Sequence, residues 1–179
     1  MALLAHCVLN QNSKIEGIAR YPGTFRPAVD LILQSEAGIY QLPCPEMTYL
    51  GISRWSSVRD QYNSPFFRRH CRALVERVMD ELEDYARRGY KIVALIGMDG
   101  SPSCGVDFTQ EASGEPWGGR VQSIPSRQYI KGTAPFIEIL RGAAVERGLP
   151  EIPCVGLPEN EQMGTVEAAL LRIEKVLEG

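Results

Sequence analysis

One short run near the middle of the chain constrains the fold more than any other feature. Residues 91–96, Lys-Ile-Val-Ala-Leu-Ile, are mostly apolar and rich in β-branched side chains. Such a run, placed between a long helical pattern and a glycine-rich loop, predicts a strand that is buried on both faces of a sheet. Strands buried in this way are typical of parallel sheets that carry helices on both sides.

Strand-like runs alternate with helical patterns along the rest of the chain. Strands are predicted over residues 2–9, 39–42, 90–96 and 152–157, and helices over 26–35, 65–88, 133–147 and 163–177. The alternation predicts one α/β domain over residues 1–179, with a doubly wound, mainly parallel sheet of the Rossmann-like or flavodoxin-like kind. Residues 108–132 are predicted to be irregular, which is typical of a lid or a binding loop.

Composition narrows the classes of function. The chain is 44% hydrophobic and 23% charged, as soluble globular proteins are, and its formal net charge of -3 argues against a nucleic-acid surface. No apolar run approaches the roughly 20 residues that span a bilayer. Residues 1–7 lack the charged start and cleavage site of a signal peptide. We therefore expect a cytoplasmic monomer or homodimer with no nucleic-acid or membrane partner.

Three of the five cysteines lie at predicted strand ends. Cys7 lies near the end of the first strand, Cys44 follows the second between two prolines that favour a rigid extended bend, and Cys104 follows the third. Because the carboxyl ends of parallel strands share one edge of the sheet, we expect the three thiols to converge. An odd cysteine count in a reducing compartment argues against a disulfide framework.

Three converging thiolates suit either an iron–sulfur cluster with one open iron or a zinc ion with one open position. The other candidate ligands are expected to lie elsewhere. His6 adjoins Cys7 on the predicted strand and should point to the opposite face. His70 and Cys71 are expected to be helix surface or packing residues, and Cys154 a small core residue.

Three motifs occur together: Cys-Val-Leu-Asn at 7–10 with Tyr-Pro-Gly at 21–23, Pro-Cys-Pro-Glu at 43–46, and Ser-Pro-Ser-Cys-Gly at 101–105. With them, the first 110 residues or so resemble the bacterial family typified by thiouracil desulfidase. The resemblance implies a 4Fe-4S cluster, lost from protein purified in air, whose three cysteine ligands here would be Cys7, Cys44 and Cys104. The fourth iron would bind the sulfur of a small thiolated substrate.

Two departures from the family pattern mark a divergent branch. Asn-Gln-Asn-Ser-Lys at 10–14 replaces the usual continuation of the first motif. Asp99 and Gly100 stand where a basic residue would precede Ser101. These departures bear on the choice of substrate more than on the cluster ligands.

The same motifs supply candidates for the chemistry. Glu46 is the first candidate for the base that activates water, the alternative being a solvated loop acid, and Asp99 is the second candidate. Ser101 is a further candidate catalytic residue. Substrate or cluster sulfurs would be held by hydroxyls and by backbone N–H groups around Ser101, Ser103, Gly100 and Gly105. Asp107 is expected to be structural.

Two further sets of residues could contact a substrate. Trp117 and Tyr129, with the glycines at 114, 118 and 119, could cover a flat heterocycle by stacking, although Trp117 could equally be a loop anchor. Lys14 and Arg54 could bind an anionic group, but the expectation for each is an ordinary surface charge.

Three functions are therefore compared. The favoured one is an iron–sulfur enzyme that removes sulfur from a small C=S compound by redox-neutral hydrolysis. The alternative is a non-catalytic iron–sulfur or metal-binding sensor module with the same fold. A metal-free phosphate-binding loop at 97–105 is the third, and it leaves the three thiols unexplained.

Overall fold

The computed structural model describes residues 1–114, 117–118 and 126–178. In these ranges the strands are β1 (Ala2–Leu4), β2 (Ile39–Gln41), β3 (Ala94–Asp99), β4 (Phe108–Ala112), β5 (Arg127–Lys131) and β6 (Cys154–Pro158). Four of them form a parallel sheet in the order β2-β1-β3-β6, and β4 pairs with β5 as an antiparallel hairpin.

The helices are α1 (His6–Leu9), α2 (Arg26–Gln34), α3 (Pro45–Leu50), α4 (Arg59–Tyr62), α5 (Pro65–Arg87), α6 (Pro135–Glu146) and α7 (Val166–Leu177). Two single 3-10 turns lie at Gln11–Ser13 and Glu161–Met163. Across the described ranges, no helix combines the length and the apolar character needed to cross a bilayer.

Helices cover the sheet in two pairs. α2 packs against α7, and α5 packs against α6. The chain moves one way along the sheet from β1 to β2 and the other way from β2 to β3, so right-handed crossovers place the two pairs on opposite faces. The predicted doubly wound, mainly parallel α/β fold is confirmed.

The core lies between the sheet and these helices. Its largest fully buried side chains come from β1, β3 and the inner faces of the helices. They are Leu3, Leu4, Ile32, Phe67, Met79, Leu82, Leu95, Ile96, Met98, Phe136 and Ile137, and Leu42, directly after β2, joins them. α5 begins as its sequence predicts, because the Ser64 hydroxyl accepts a hydrogen bond from the N–H of Phe67 and Pro65 takes the first helical position.

The central strand lies later in the chain than its apolar run predicts. β3 covers Ala94–Asp99, because its register with β1 starts at Ala94 and its register with β6 continues to Asp99. Gly97 therefore belongs to the strand and not to the loop. A Cβ atom there would lie 2.6 Å from the carbonyl oxygen of Cys104, so glycine lets the following loop fold back over the strand.

The first and second strands are also shorter than predicted. β1 ends at Leu4, and the chain turns at Ala5 into α1, so His6 and Cys7 lie in a helical turn. After β2, Cys44 is extended as predicted, but α3 begins immediately at Pro45. A proline at the first helical position lacks an N–H that would have no partner there, which is why this proline starts a helix.

The predicted irregular segment 108–132 contains the β4–β5 hairpin. Its strands are short and polar, and residues 113–126 separate them, so neither carries the apolar run by which buried strands are recognised. The hairpin stands beside the sheet and supplies one wall of the cavity described next.

Candidate functional site

A cavity of about 280 Å³ lies at the carboxyl edge of the parallel sheet. The chain leaves β1 towards β2 and leaves β3 towards β6, so the cavity sits where the two halves of the sheet diverge. Open parallel sheets bind their ligands at this point. A larger groove of about 820 Å³ lies at the amino edge, and its described lining contains no cysteine or histidine.

Three cysteines line the cavity at the carboxyl edge. Cys7 lies in α1 directly after β1, Cys44 precedes α3 after β2, and Cys104 lies in the loop after β3. The Cys44 sulfur accepts a hydrogen bond from the N–H of Met47 at 3.4 Å, so the thiol caps α3. The structure thus brings together thiols that are far apart in sequence, at the edge that the parallel-strand argument predicts.

The thiols influence one another. Burial raises the pKa of Cys7 to about 12, with Lys14 opposing the shift and Cys44 adding to it. Burial raises the pKa of Cys104 well above its ordinary value, and the neighbouring thiols of Cys44 and Cys7 raise it further. Burial and the Glu46 carboxylate raise the pKa of Cys44. The three groups are therefore close enough to interact, and each favours its neutral form when no cation is present.

The donor set decides what these thiols could hold. Among the residues that the structure describes, no group of three or more His, Cys, Asp or Glu side chains is arranged to hold a single metal ion. Three soft sulfur donors are nevertheless the ligands that iron–sulfur clusters take. Cys7, Cys44 and Cys104 are the residues here that could bind such a cluster.

Glu46 is buried in the cavity wall, with only 7% of its surface exposed. Its Oε1 accepts a hydrogen bond from Ser103 Oγ at 2.6 Å, and its Oε2 accepts one from Arg54 Nε at 3.1 Å. The Tyr62 hydroxyl lies 3.5 Å from the same Oε2. Glu46 is therefore not the solvated loop acid that the sequence left as an alternative, and its carboxylate is held in a fixed orientation.

The loop that carries Cys104 is shaped by its serines. Ser101 Oγ accepts hydrogen bonds from the N–H groups of Ser103 and Cys104, at 3.3 and 3.1 Å. Ser103 Oγ lies 3.4 Å from the Cys104 sulfur, so a chain of hydrogen bonds links Glu46, Ser103 and Cys104. Both serines line the cavity.

The two glycines of this loop have different roles. Gly100 lines the cavity and has a φ of +88°, which an L side chain rarely adopts. Gly105 lies behind the cavity lining, and a Cβ atom there would come within 2.1 Å of the carbonyl oxygen of Phe108. Gly105 therefore permits a tight loop and makes no contact with the cavity.

Asp99 does not fit the role of base. Its Oδ1 accepts hydrogen bonds from the N–H groups of Val106, Asp107 and Phe108, at 2.9, 2.9 and 3.2 Å. It is 1% exposed and lies outside the cavity lining. Burial raises its pKa, and the three N–H groups oppose that shift. The carboxylate holds the loop after β3 in place, while Asp107 pairs with Arg172 at 2.8 Å.

Lys14 and Arg54 are not the surface charges that the sequence favours. Both are buried in the cavity wall, where Lys14 pairs with Glu159 at 2.5 Å and Arg54 pairs with Glu46. His6 also lines the cavity, contrary to its predicted position on the opposite face. The reason is that β1 ends before His6, so strand alternation does not apply to it.

The hairpin contributes residues that sequence analysis missed or placed only in a loop. Gln110 on β4 and Tyr129 on β5 are cross-strand partners, and both line the cavity. Arg127, two residues before Tyr129, lines it as well and donates to Ser56 Oγ at 3.0 Å. Residues 108–112, Phe-Thr-Gln-Glu-Ala, do not alternate between polar and apolar side chains, so the sequence gives no clear signal for this strand.

Trp117 lies outside the cavity lining, and its indole N–H donates to the carbonyl oxygen of Ser126 at 3.1 Å. This contact fits the alternative of a loop anchor. Of the proposed cover, Tyr129 lines the cavity, Gly114 and Gly118 are exposed, and Gly119 lies outside the described residues.

The remaining cysteines and the second histidine lie elsewhere. Cys71 is fully buried in the core on α5, and Cys154 is half-buried at the start of β6. His70 packs against Tyr49 and lies 2.8 Å from the Thr48 hydroxyl. None of the three belongs to the described lining of the cavity.

The fold and site define an α/β protein with a thiol-lined cavity at the point where its parallel sheet divides. The chain is 38% identical over 106 residues to uncharacterized protein MJ0003 of Methanocaldococcus jannaschii, and the alignment covers 59% of this chain and 67% of that protein. The chain therefore belongs to the same family as MJ0003. No family model matches the chain, and no solved structure matches it significantly.

Proposed function

We propose that this protein is an iron–sulfur-dependent desulfidase that replaces the sulfur of a small C=S compound with oxygen from water. One observation carries the proposal: three thiols from three separate strand ends meet a buried carboxylate in one cavity. The carboxylate of Glu46 is tied to the thiol-bearing loop through Ser103. A site with soft ligands and a placed base suits metal-assisted hydrolysis.

The donor set fits a cluster better than a single ion. Each thiolate needs a nearby positive charge, and the two buried cations in the wall, Lys14 and Arg54, are already paired with carboxylates. Three cysteine thiolates are the ligand set of a four-iron cluster that keeps one iron open. We therefore assign Cys7, Cys44 and Cys104 as ligands of a 4Fe-4S cluster.

When bound, a cluster with one iron free of protein ligands supplies a Lewis acid for the sulfur of the substrate. Glu46 takes a proton from the water that attacks the carbon atom. Its Oε1 accepts from Ser103 but retains a second lone pair for that water. Arg54 holds the other oxygen, so the carboxylate cannot turn away. A C=S compound and water thus give a C=O compound and hydrogen sulfide, with no net oxidation.

The size of the cavity favours a small substrate. Its volume of about 280 Å³ lies just below the range of roughly 300–1,000 Å³ for ligand pockets, and a bound cluster would take part of it, so only a small molecule would fit beside the cluster. The net charge of -3 offers no attraction to a phosphate backbone. We therefore favour a free thiolated heterocycle, such as a thiopyrimidine, over the same base within a nucleic acid.

The test is sulfide release by protein that is purified and assayed without oxygen. Iron and acid-labile sulfide are first counted per chain, and then free 2-thiouracil is compared with thiolated transfer RNA. We expect a loaded cluster and faster release from the free base. Faster release from the RNA would overturn the small-substrate proposal. A loaded cluster without release from either compound would favour the sensor module.

A further inference from the structure

Lys14 and Glu159 form a largely buried ion pair in the wall of the cavity. Lys14 Nζ donates a hydrogen bond to Glu159 Oε1 at 2.5 Å, and the two side chains are 9% and 17% exposed. Both residues line the cavity together with Cys7. Removing two charges from water costs free energy, and neither residue is assigned to hold the cluster or to activate water. The role of the pair in the cavity is therefore still open.

The pair joins two loops at the carboxyl edge of the sheet. Lys14 follows β1 by way of α1 and the 3-10 turn at Gln11–Ser13, and Glu159 follows β6 directly. In the sheet order, β3 lies between β1 and β6. The two charges therefore come from the strands on either side of β3, whose own loop carries Cys104, and they meet beside the assigned cluster ligands.

Lys14 is also connected to the turn that carries Cys7. Its N–H donates to the carbonyl oxygen of Gln11, and the Gln11 amide donates to the carbonyl oxygen of Cys7 at 2.6 Å. Burial raises the pKa of the Cys7 thiol to about 12, and the Lys14 ammonium opposes that rise while the Glu159 carboxylate adds to it. Both charges of the pair therefore act on Cys7, with opposite signs.

The other buried cation of the wall is bound differently. Arg54 donates to Glu46 and to the carbonyl oxygens of Ser13 and Gly51. Its charge is therefore committed to the carboxylate base and to the backbone. The Lys14 ammonium has three N–H donors and uses one of them in the described contacts. Of these two cations, Lys14 is the one whose charge acts on the thiol side of the cavity.

We propose that Lys14 is a positioning residue that acts through Cys7: its charge makes a bound cluster more electron-poor, and Glu159 limits the effect. This inference rests on the proposed function, because it needs the cluster. The reduction potential of an iron–sulfur cluster depends on the net charge around it. A nearby positive charge favours the reduced cluster, which carries one more negative charge, and strengthens the binding of an anion at the open iron.

The test compares four anaerobically purified proteins: wild type, Lys14→Met, Glu159→Gln and the double variant. Glutamine at 159 still accepts from Lys14, so the lysine stays in place. Each cluster is titrated with dithionite and followed by electron paramagnetic resonance. Lys14→Met should lower the reduction potential and Glu159→Gln should raise it, each by about a tenfold change in the equilibrium constant, or about 59 mV for one electron.

The double variant separates charge from structural damage. It removes both charges of a neutral pair, so its potential should lie between those of the single variants and close to that of the wild type. Damage to the cavity would add up instead, since the double variant carries both substitutions. Lys14→Arg keeps the charge and should keep the wild-type potential.

Cyanide binding at the open iron is a second readout, which needs neither reduction of the cluster nor turnover. We expect Lys14→Met to weaken cyanide binding by about 3- to 10-fold and Glu159→Gln to strengthen it by a similar factor. Arg26→Met is the control. Arg26 pairs with Asp30 but is 79% exposed and lies outside the described lining, so solvent and salt screen its charge. The control should change neither quantity.

Shifts of the same sign in the two single variants, or no shift in either, would overturn the inference. A double variant that departs from the wild type further than both single variants would overturn it as well. If none of the proteins takes up iron, the proposed function fails and the inference fails with it. Opposite shifts without sulfide release from 2-thiouracil would overturn the proposed reaction alone.

Discussion

The cavity has two walls of different construction. The thiol wall consists of Cys7, Cys44, Cys104 and the buried groups behind them, and the hairpin wall consists of Gln110, Arg127 and Tyr129. In the thiol wall, Glu46 and Ser103 satisfy each other, and Asp99 ties down the loop from behind. In the hairpin wall, Gln110 keeps an unpaired oxygen and Arg127 holds only a serine hydroxyl among the described contacts.

Under the proposed function, the thiol wall would carry out the reaction and the hairpin wall would select the substrate. Groups that act on reacting atoms must be held in place before the substrate arrives, since reorganisation during the reaction would cost activation free energy. Groups that choose a substrate must instead leave hydrogen-bonding capacity unused until it binds. We therefore expect changes in the thiol wall to affect cofactor content and turnover, and changes in the hairpin wall to affect affinity.

The largest effect is expected at Cys104. Cys104→Ser replaces a soft sulfur ligand by a hydroxyl, so anaerobically purified protein should lose most of its iron and all detectable sulfide release. Cys154→Ser is the matched control, because Cys154 lies outside the described cavity lining and its thiol donates a hydrogen bond to the carbonyl oxygen of Ile152 at 3.1 Å. Iron, acid-labile sulfide and the visible spectrum are measured for both. Equal iron content in the two variants would contradict the assignment of Cys104 as a cluster ligand.

The next effect is expected at Glu46. Glu46→Gln keeps the shape of the side chain but removes the base, so turnover should fall by about 10²- to 10⁴-fold while iron content stays the same. Arg54 keeps hydrogen bonds to two backbone carbonyl groups, which limits the cost of leaving its charge unpaired. A thermal melt checks that the variant is folded.

Glu159→Gln is the control for Glu46. Glu159 also lines the cavity and also pairs with a buried cation, Lys14, but among the described residues it has no hydrogen bond to Ser103. This variant should retain most of its turnover. Equal losses in the two variants would mean that the cavity needs negative charge in general and that Glu46 is not the base.

The thiol wall was largely predictable from sequence, for a physical reason. Strand runs and helix caps are local signals, and a parallel sheet brings its strand ends to one edge wherever they lie in the chain. Cys7, Cys44 and Cys104 could therefore be placed together without any knowledge of side-chain contacts. The predicted end of β1 was wrong, however: the strand ends at Leu4, and His6 therefore lies in the cavity lining.

The hairpin wall was not predictable in the same way. β4 and β5 are polar strands that pair with each other although residues 113–126 separate them in the sequence. Neither strand therefore shows a strong hydrophobic pattern by itself. Burial of charge was missed for a similar reason: Lys14 is buried by an ion pair with Glu159, 145 residues later. Composition shows that a lysine is present, but only tertiary structure shows its partner.

A smaller effect is expected at Arg127, whose side chain is exposed at the cavity mouth. For a thiopyrimidine that carries a carboxylate, Arg127→Gln should weaken binding by about tenfold, because a charge-assisted contact is lost. For neutral 2-thiouracil it should change little. Lys131→Gln, on the same face of β5 but outside the lining, is the control. An equal effect on both substrates would show that Arg127 stabilises the hairpin and does not bind the carboxylate of the substrate.

The smallest effect distinguishes the two aromatic residues of the segment between residues 108 and 132. Tyr129 lines the cavity, so Tyr129→Leu should weaken the binding of uracil by about 3- to 10-fold through lost ring contact. Trp117 lies outside the lining, and its indole is bound to the carbonyl oxygen of Ser126, so Trp117→Leu should change the same affinity by less than about twofold. Calorimetry on both variants checks the difference. A larger loss for Trp117→Leu would mean that recognition extends beyond the hairpin wall into the loop that joins β4 to β5.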